Sequence, residues 1–381
     1  MLLASILDFV GSIGQTSIEV YEWNEDVVRK RRLSNSPDFT KLTTKHLNLT
    51  FNGWSLAHAV VKADYLDRRN LTMPGIGFLL QASNLIAFGA SPIELKRGAA
   101  KALNDFSLTS MSGRVGQGIA ILYGYSLGMK FTAHLRSHVE ALPAGSVGAT
   151  HKGEAMADFL FADKHQTVLI ESKGSFTLKE NDPTAIKSVL KRALESQIDP
   201  WIDYIQPAPS NGYVVYTCLR EHSGIPSAIF VVDPVGDDDT SGKLPYSCDQ
   251  VVRENYGAWL RAMGLAKAAE RLVLPMTVED DDVGEPEEIP FTIVNLDGRQ
   301  YAFRADQPNR SLCHIETIGI DVVALRALST AIKEPQTNLT NLLDDMPTQL
   351  SGRQGAASIF PDGTLFGPTE MKPFKMEFVR L

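Results

Sequence analysis

The sequence is poor in several features that would point to particular functions. It has three cysteines in 381 residues, Cys218, Cys248 and Cys313. They are far apart and odd in number, which argues against a disulfide framework or a cysteine zinc site and fits a reducing compartment, so a cytoplasmic location is expected. No apolar run approaches the roughly 20 residues that span a bilayer, and no membrane partner is expected. The opening MLLASILDFVGSIG is apolar but has no basic flank and contains Asp8; it reads as a helix or strand start, not a leader. Glycine patterns that cradle phosphates are missing: GRVGQG (Gly113–Gly118) has neither the spacing nor the preceding strand. There is no nucleophile elbow, and nothing sets His134, His138 or His222 beside a suitable serine.

Positive charge is not in excess either. Lys and Arg number 37 against 45 Asp and Glu, a net −8. That balance argues against a nucleic-acid partner until its distribution is considered. The run Glu279–Glu288, EDDDVGEPEE, holds seven acidic residues and no basic one, so it accounts for nearly all of the excess. The rest is close to neutral and can carry a local basic groove, and it is the local field that attracts phosphates.

Four regions are expected. Residues 1–112 read as mostly helical, with a basic cluster at Arg29–Arg32, a turn-prone Ser-Asn-Ser-Pro stretch, and helical spacing over Gly53–Arg69 and Ser91–Phe106. Residues 113–245 read as an α/β unit with a mixed sheet: a glycine-punctuated helix running into a strand, a hairpin, a helix capped by Asp182 and Pro183, a further turn of helix from Asp199-Pro200, then the strands YVVYTCL and SAIFVVDP. Residues 246–288 read as an amphipathic helix over 251–274 and an acidic linker. Residues 289–381 read as a small α+β piece with a hairpin around Asp297-Gly298, a helix near Asp321–Ile332, and loops.

The chemistry is expected in the hairpin, EAMADFLFADKHQTVLIESKGS (Glu154–Ser175). Side chains alternate faces along a strand, so Glu154, Met156 and Asp158 share one face, and Leu169, Glu171, Lys173 and Ser175 share one face of the next. With the turn centred between Lys164 and His165, paired residue numbers sum to 329. Asp158 then faces Glu171, with Lys173 one diagonal step away. Two facing carboxylates among Phe159, Leu160, Leu169 and Ile170 repel each other where water is scarce. A divalent cation removes the conflict: Mg²⁺ prefers oxygen ligands and keeps several waters, so two carboxylates and a carbonyl suffice. An adjacent ammonium can orient a water or stabilise charge on a phosphate.

The pattern Asp158…Glu171-Ser172-Lys173 resembles the PD-(D/E)xK nuclease superfamily, over residues 113–235 and including the order of elements around the motif. The resemblance implies a restriction-endonuclease-like fold, with Asp158 and Glu171 as ligands of Mg²⁺ (or Mn²⁺), the Ser172 carbonyl as a third ligand, and Lys173 as the catalytic lysine. Gly174 and Ser175 after the lysine also look like the family. Ala157 stands where the family has proline. The implied substrate is nucleic acid, DNA before RNA, and the implied setting is bacterial or phage genome defence, acting as a homo-oligomer or with a partner protein. The alternative is a non-catalytic nucleic-acid-binding or assembly module that keeps the fold.

Other candidates have two readings each. Glu154 is a further metal ligand or an edge-of-strand charge. Gln197 continues the apolar stripe Ile186, Val189, Leu190, Ala193, Leu194 and resembles the glutamine of a Q-x-x-x-Y motif, with Trp201 in the tyrosine's place; it contacts the site or caps a helix end. Gln117 stands where some family members have an extra acid, or packs near a helix start. Lys179, Lys187, Lys191 and Arg192 track a phosphate backbone or form a solvated face.

Overall fold

The computed structural model describes residues 14–33, 38–66, 75–142, 145–205, 208–222, 224–233, 248–273, 285–296, 298–305, 317–344, 346, 357–367 and 373–381. Residues 1–13, the Ser-Asn-Ser-Pro turn, Asp297, and residues 279–284 of the acidic run lie outside them.

Strand β1 (Gln15–Trp23) leads to helix α1 (Glu25–Arg29), whose first turn is capped by the Asn24 side chain accepting from the Val27 N–H at 3.2 Å. Strands β2 (Thr43–Lys45) and β3 (Leu49–Asn52) both pair with β1, and helix α2 (Gly53–Leu66) follows. Strands β4 (Ile86–Ala87) and β5 (Glu94–Leu95) form a small ribbon before the long helix α3 (Asp105–Ser126), capped by Asn104. Then come β6 (Phe131–His134), β7 (Phe159–Ala162), β8 (Thr167–Ser175) and helix α4 (Pro183–Ala193). Asp182 caps α4, accepting from Thr184 and Ala185 N–H groups, with Pro183 in its first turn. A π-helical turn (Leu194–Ile198) joins α4 to helix α5 (Asp199–Tyr204). Strands β9 (Asn211–Cys218) and β10 (Ala228–Val232) complete a mixed sheet of order β2-β1-β10-β9-β8-β7-β6. In it β8 runs parallel to β9 and β1 parallel to β10, while β6, β7 and β8 form an antiparallel meander. The expected order of elements over 113–235 is present, with two short extra helices, Leu135–Ala141 and Val147–Thr150, between β6 and β7.

Helices α6 (Asp249–Ala262) and α7 (Ala266–Val273) pack next, then a second, antiparallel sheet. It contains β11 (Glu288–Leu296), β12 (Arg299–Arg304), β13 (Thr317–Asp321), β14 (Ser358–Ile359), β15 (Thr364–Gly367) and β16 (Pro373–Arg380), in the order β14-β15-β13-β12-β11-β16. Helix α8 (Val322–Lys333) starts at an Asp321 cap and covers one face.

Several expectations are corrected. The region 1–112 is not a separate helical unit: β1 to β3 belong to the main sheet, and position 113 falls inside α3. Ser91–Phe106 does not form one helix, because its early backbone N–H groups are taken by distant carbonyls. Ile93 donates to Ser17 at 2.8 Å and Leu95 to Arg220 at 2.6 Å. The single helix over 251–274 is two, broken at Gly264 in the left-handed region (φ 79°), where Arg304 donates to the Gly264 carbonyl at 2.9 Å. Beyond α8 the chain is not only loops, since β14, β15 and β16 build half of the second sheet.

The two sheets share one core, and a buried charge pair stands where they meet. Lys62 of α2 donates to Asp362, on the turn between β14 and β15, and both are fully buried. Lys62 also donates to the Tyr125 hydroxyl at 2.7 Å, and Asn255 of α6 donates to Asp362 at 2.8 Å. His58 sits one helical turn before Lys62, bonded to Ser358 and Thr364 and stacked on Phe360. Removing one partner of such a pair strands an uncompensated charge. Asp362→Ala should therefore lower unfolding stability by about 3–5 kcal/mol, read from urea midpoints; a change under about 1 kcal/mol would show that the pair does not hold the two sheets together.

Candidate functional site

The β7–β8 register is the one expected: Phe159 faces Ile170 and Ala162 faces Thr167, so paired numbers sum to 329. The turn is fixed by Asp163, whose side chain accepts from His165 N–H at 2.6 Å and Gln166 N–H at 2.8 Å. All four residues of β7 and the first six of β8 are buried, as suits strands covered on both faces.

Pairing stops at Phe159, while β8 continues to Ser175 alongside β9. In extended backbone the N–H and C=O of one residue point to the same edge. Ser175 gives its carbonyl to Leu219 at 3.0 Å, so the odd-numbered residues of β8 face β9. Ser172 therefore faces the edge that β7 has vacated. Its N–H donates to the Asp158 carboxylate at 3.1 Å, and its carbonyl points to that same edge. The Asp158 backbone is fixed in turn by Leu135, which donates to its carbonyl at 3.0 Å.

Glu171 is 1% exposed. Lys173, two residues on and on the same face, donates to Glu171 Oε1 and lies 35% exposed at the rim. Glu171 Oε2 is buried with no hydrogen-bond partner. Burial, and next the nearby Asp158 charge, push the Glu171 carboxyl up to about 8, although Lys173 and Gln197 pull the other way. Asp158, Glu171 and Lys173 thus come together, but Asp158 lies just before β7 and is not the ladder partner of Glu171 that the alternation predicts.

Gln197 joins them. Its Oε1 accepts from Lys173 Nζ at 3.0 Å, and its Nε2 donates to the Met156 carbonyl at 2.8 Å. Four residues on, buried Trp201 donates from Nε1 to the Ala155 carbonyl at 2.7 Å. The π-helical turn containing Gln197 and the helix containing Trp201 together clamp the segment that delivers Asp158. Gln197 is therefore a contact of the site, and not a cap on a helix end.

On the other face, α3 lies against the β8 backbone. A Cβ at Gly174 would fall 1.9 Å from the Ser112 carbonyl oxygen, and one at Gly116 would fall 3.0 Å from the Lys173 oxygen. Only glycine allows this approach. The sequence offered Gly174 as a family likeness and gave no sign of the crossing. Gln117, half-buried, follows Gly116 on α3.

The remaining candidates are placed differently. Glu154 is not on β7, which begins at Phe159; its exposed carboxylate meets His151 Nδ1 at 2.7 Å, so it is a surface charge. Lys187 is buried and donates to the Lys30 carbonyl; Lys191 donates to the Arg29 carbonyl at 2.9 Å. These ammoniums close the C-terminal end of α1 and are not a solvated face. Arg29 is held by Asp199 at 2.7 and 3.0 Å and by Glu25 at 2.6 Å. The effect is to bring Lys30, Arg31 and Arg32, all exposed, alongside α4 and its exposed Arg192. Lys179 is exposed between β8 and α4.

The residues present fit a hard divalent cation. Among the described residues no group of three or more His, Cys, Asp and Glu side chains is suited to a metal. Two carboxylates, one carrying an unsatisfied buried oxygen, and an edge carbonyl still meet the needs of Mg²⁺, which keeps waters. Among the described residues no helix is long and apolar enough to cross a membrane.

The raised Glu171 carboxyl has a definite pH signature. From about 4.5 to about 8 the unfolded chain gives up a proton that the folded protein keeps, so this group's stabilising contribution is full below 4.5 and lost as pH rises. Glu171→Gln removes the titration. In metal-free protein it should flatten the decline of the urea midpoint between about pH 5 and pH 8; parallel slopes in the two proteins would contradict the assignment. No protein-family model, curated protein or solved structure matches this chain.

Proposed function

We propose that the protein is a metal-dependent nuclease with a restriction-endonuclease-like core. One observation carries the reading: a buried carboxylate oxygen of Glu171 with no hydrogen-bond partner, beside Asp158 and under the Lys173 ammonium. Buried polar atoms are normally hydrogen-bonded, and an interior carboxylate oxygen without a protein partner is open to one from solvent. The antiparallel meander β6–β7–β8, the helix α4 and the return of β9 parallel to β8 support the same fold.

In this reading Asp158, Glu171 and the Ser172 carbonyl hold Mg²⁺ or Mn²⁺. A bound ion of this kind supplies charge to a phosphate oxygen and lowers the pKa of a water. Lys173, at the rim, meets the scissile phosphate and its attacking water while Gln197 fixes the direction of its stem. The burial of Glu171, 1% exposed, keeps bulk water from its carboxylate, which strengthens each charge interaction there. Lys30, Arg31, Arg32 and Arg192 offer positive charge to a polyanion beside α4. DNA before RNA, a cytoplasmic location and a role in genome defence rest on the family resemblance alone.

Plasmid and single-stranded DNA incubated with the protein in Mg²⁺ or Mn²⁺ should be cleaved, and EDTA should stop it. Asp158→Ala and Lys173→Ala should each reduce cleavage by about 100-fold or more while the fold persists. Equal activity in wild type and variants would reject the assignment; metal-independent DNA binding with no cleavage would favour the non-catalytic module. Arg31→Glu with Arg32→Glu should weaken DNA binding and flatten the slope of log affinity against log salt by about one or more. An unchanged slope would remove this patch from the DNA path.

A further inference from the structure

The second sheet ends in a strand whose outer edge no described strand covers. Strand β16 is the last in its sheet, and among the described residues no strand lies beyond it. Its sequence, PFKMEFVR, carries three large apolar side chains at alternate positions. Phe374, Met376 and Phe378 are 63%, 61% and 66% exposed. The opposite face is covered: Glu377 meets Arg326 of α8 at 3.3 Å, and Val379 packs on the core. A long apolar edge strand left open recruits another strand, and proteins normally blunt or cover one.

The backbone says which groups are open. Leu381 and Glu287 exchange both hydrogen bonds, at 2.8 and 3.0 Å. The register then runs without a shift from Arg380 opposite Glu288 to Lys375 opposite Ile293. Odd-numbered residues therefore bond to β11, and Met376 and Phe378 present their N–H and C=O groups outward.

We propose that two copies of this chain pair antiparallel along β16, about a two-fold axis through Met376, so that the two six-stranded sheets become one. In that register Met376 exchanges both backbone hydrogen bonds with its own counterpart. Phe374, at the register shift that follows Lys375, falls beside Phe378 of the second copy. Lys375 falls opposite Glu377 of the second copy, twice over, and cross-strand opposite charges stabilise a pair. Apolar, charged and backbone groups are all self-complementary about one point, which is what a two-fold interface requires. Within one copy Lys375 already turns to Glu377.

Sedimentation equilibrium of the full chain should give a mass that rises with concentration to twice that of the chain. Met376→Pro removes the outward N–H at the axis, where an edge position tolerates proline. It should weaken association by about tenfold or more with the circular dichroism spectrum unchanged. Lys375→Glu should weaken it too, by setting like charges opposite each other, and the swap K375E/E377K should restore it. That rescue separates an interface effect from misfolding. Under mild oxidation Met376→Cys should form a covalent dimer, and Phe378→Cys, away from the axis, should not. A monomer at every concentration, or a dimer that Met376→Pro and Lys375→Glu both leave intact, would overturn the proposal.

Discussion

Pairing between β7 and β8 stops one residue short of Asp158, and the site exists because of that stop. Had β7 extended back through Ala157 and Asp158, Ser172 would spend its N–H and C=O on a ladder partner. Instead the Asp158 carboxylate takes the N–H, and the carbonyl is left on the open edge. What prevents the strand from extending is the clamp behind it. Gln197 and Trp201 hold the carbonyls of Met156 and Ala155, turning this segment towards the α4–α5 side and away from β8. The same glutamine then reaches Lys173, so one side chain couples the position of the first acid to that of the lysine.

The opposite face of β8 is held just as closely. The contact of Ser112 with Gly174 and of Gly116 with Lys173 lets α3 lie directly on the strand backbone. Any side chain at Gly174 would push helix and strand apart and shift Lys173, the residue before it. Lys173 and Glu171 therefore sit on a strand pressed from one side by a helix and tied from the other by Gln197. Rigid placement of this kind is what a site needs if its geometry is to hold without the ligand.

Much of this was legible in the sequence because it is local. The β7–β8 register follows from two apolar runs separated by Asp163–Gln166, and the starts of α4 and α8 from Asp182 and Asp321. What was not legible depends on distant partners. Lys187 and Lys191 read as a cationic helix face, but their targets are carbonyls about 160 residues earlier in the chain, which no local pattern encodes. Ser91-Pro92 with Glu94 has the chemistry of a helix start, yet Ser17 and Arg220 take the backbone and make a strand. Glu154 was placed by an alternation that holds only inside a strand, and it lies before the strand begins. Short β14 and β15 have too few residues to show a period; pairing with β13 defines them.

Two buried carboxylates in this molecule, each beside a lysine, are treated in opposite ways. At Lys62–Asp362 every charge is answered: Tyr125 assists the ammonium, and Asn255 and Thr364 assist the carboxylate. At Glu171–Lys173 one carboxylate oxygen is buried and left alone, with a second acid close enough to raise its proton affinity further. Burial by itself does not explain the difference, since Lys62 and Asp362 are at least as deep. Nor does a shortage of donors in the fold, because Gln197 is adjacent and is turned to Lys173 and Met156. The unanswered oxygen is thus a cost the fold bears at one place and avoids at another. Among the described buried side-chain atoms without a partner it is the one carboxylate oxygen, and in the proposed reading a cation accepted from solvent would answer it, a partner that two carboxylates and an edge carbonyl suit.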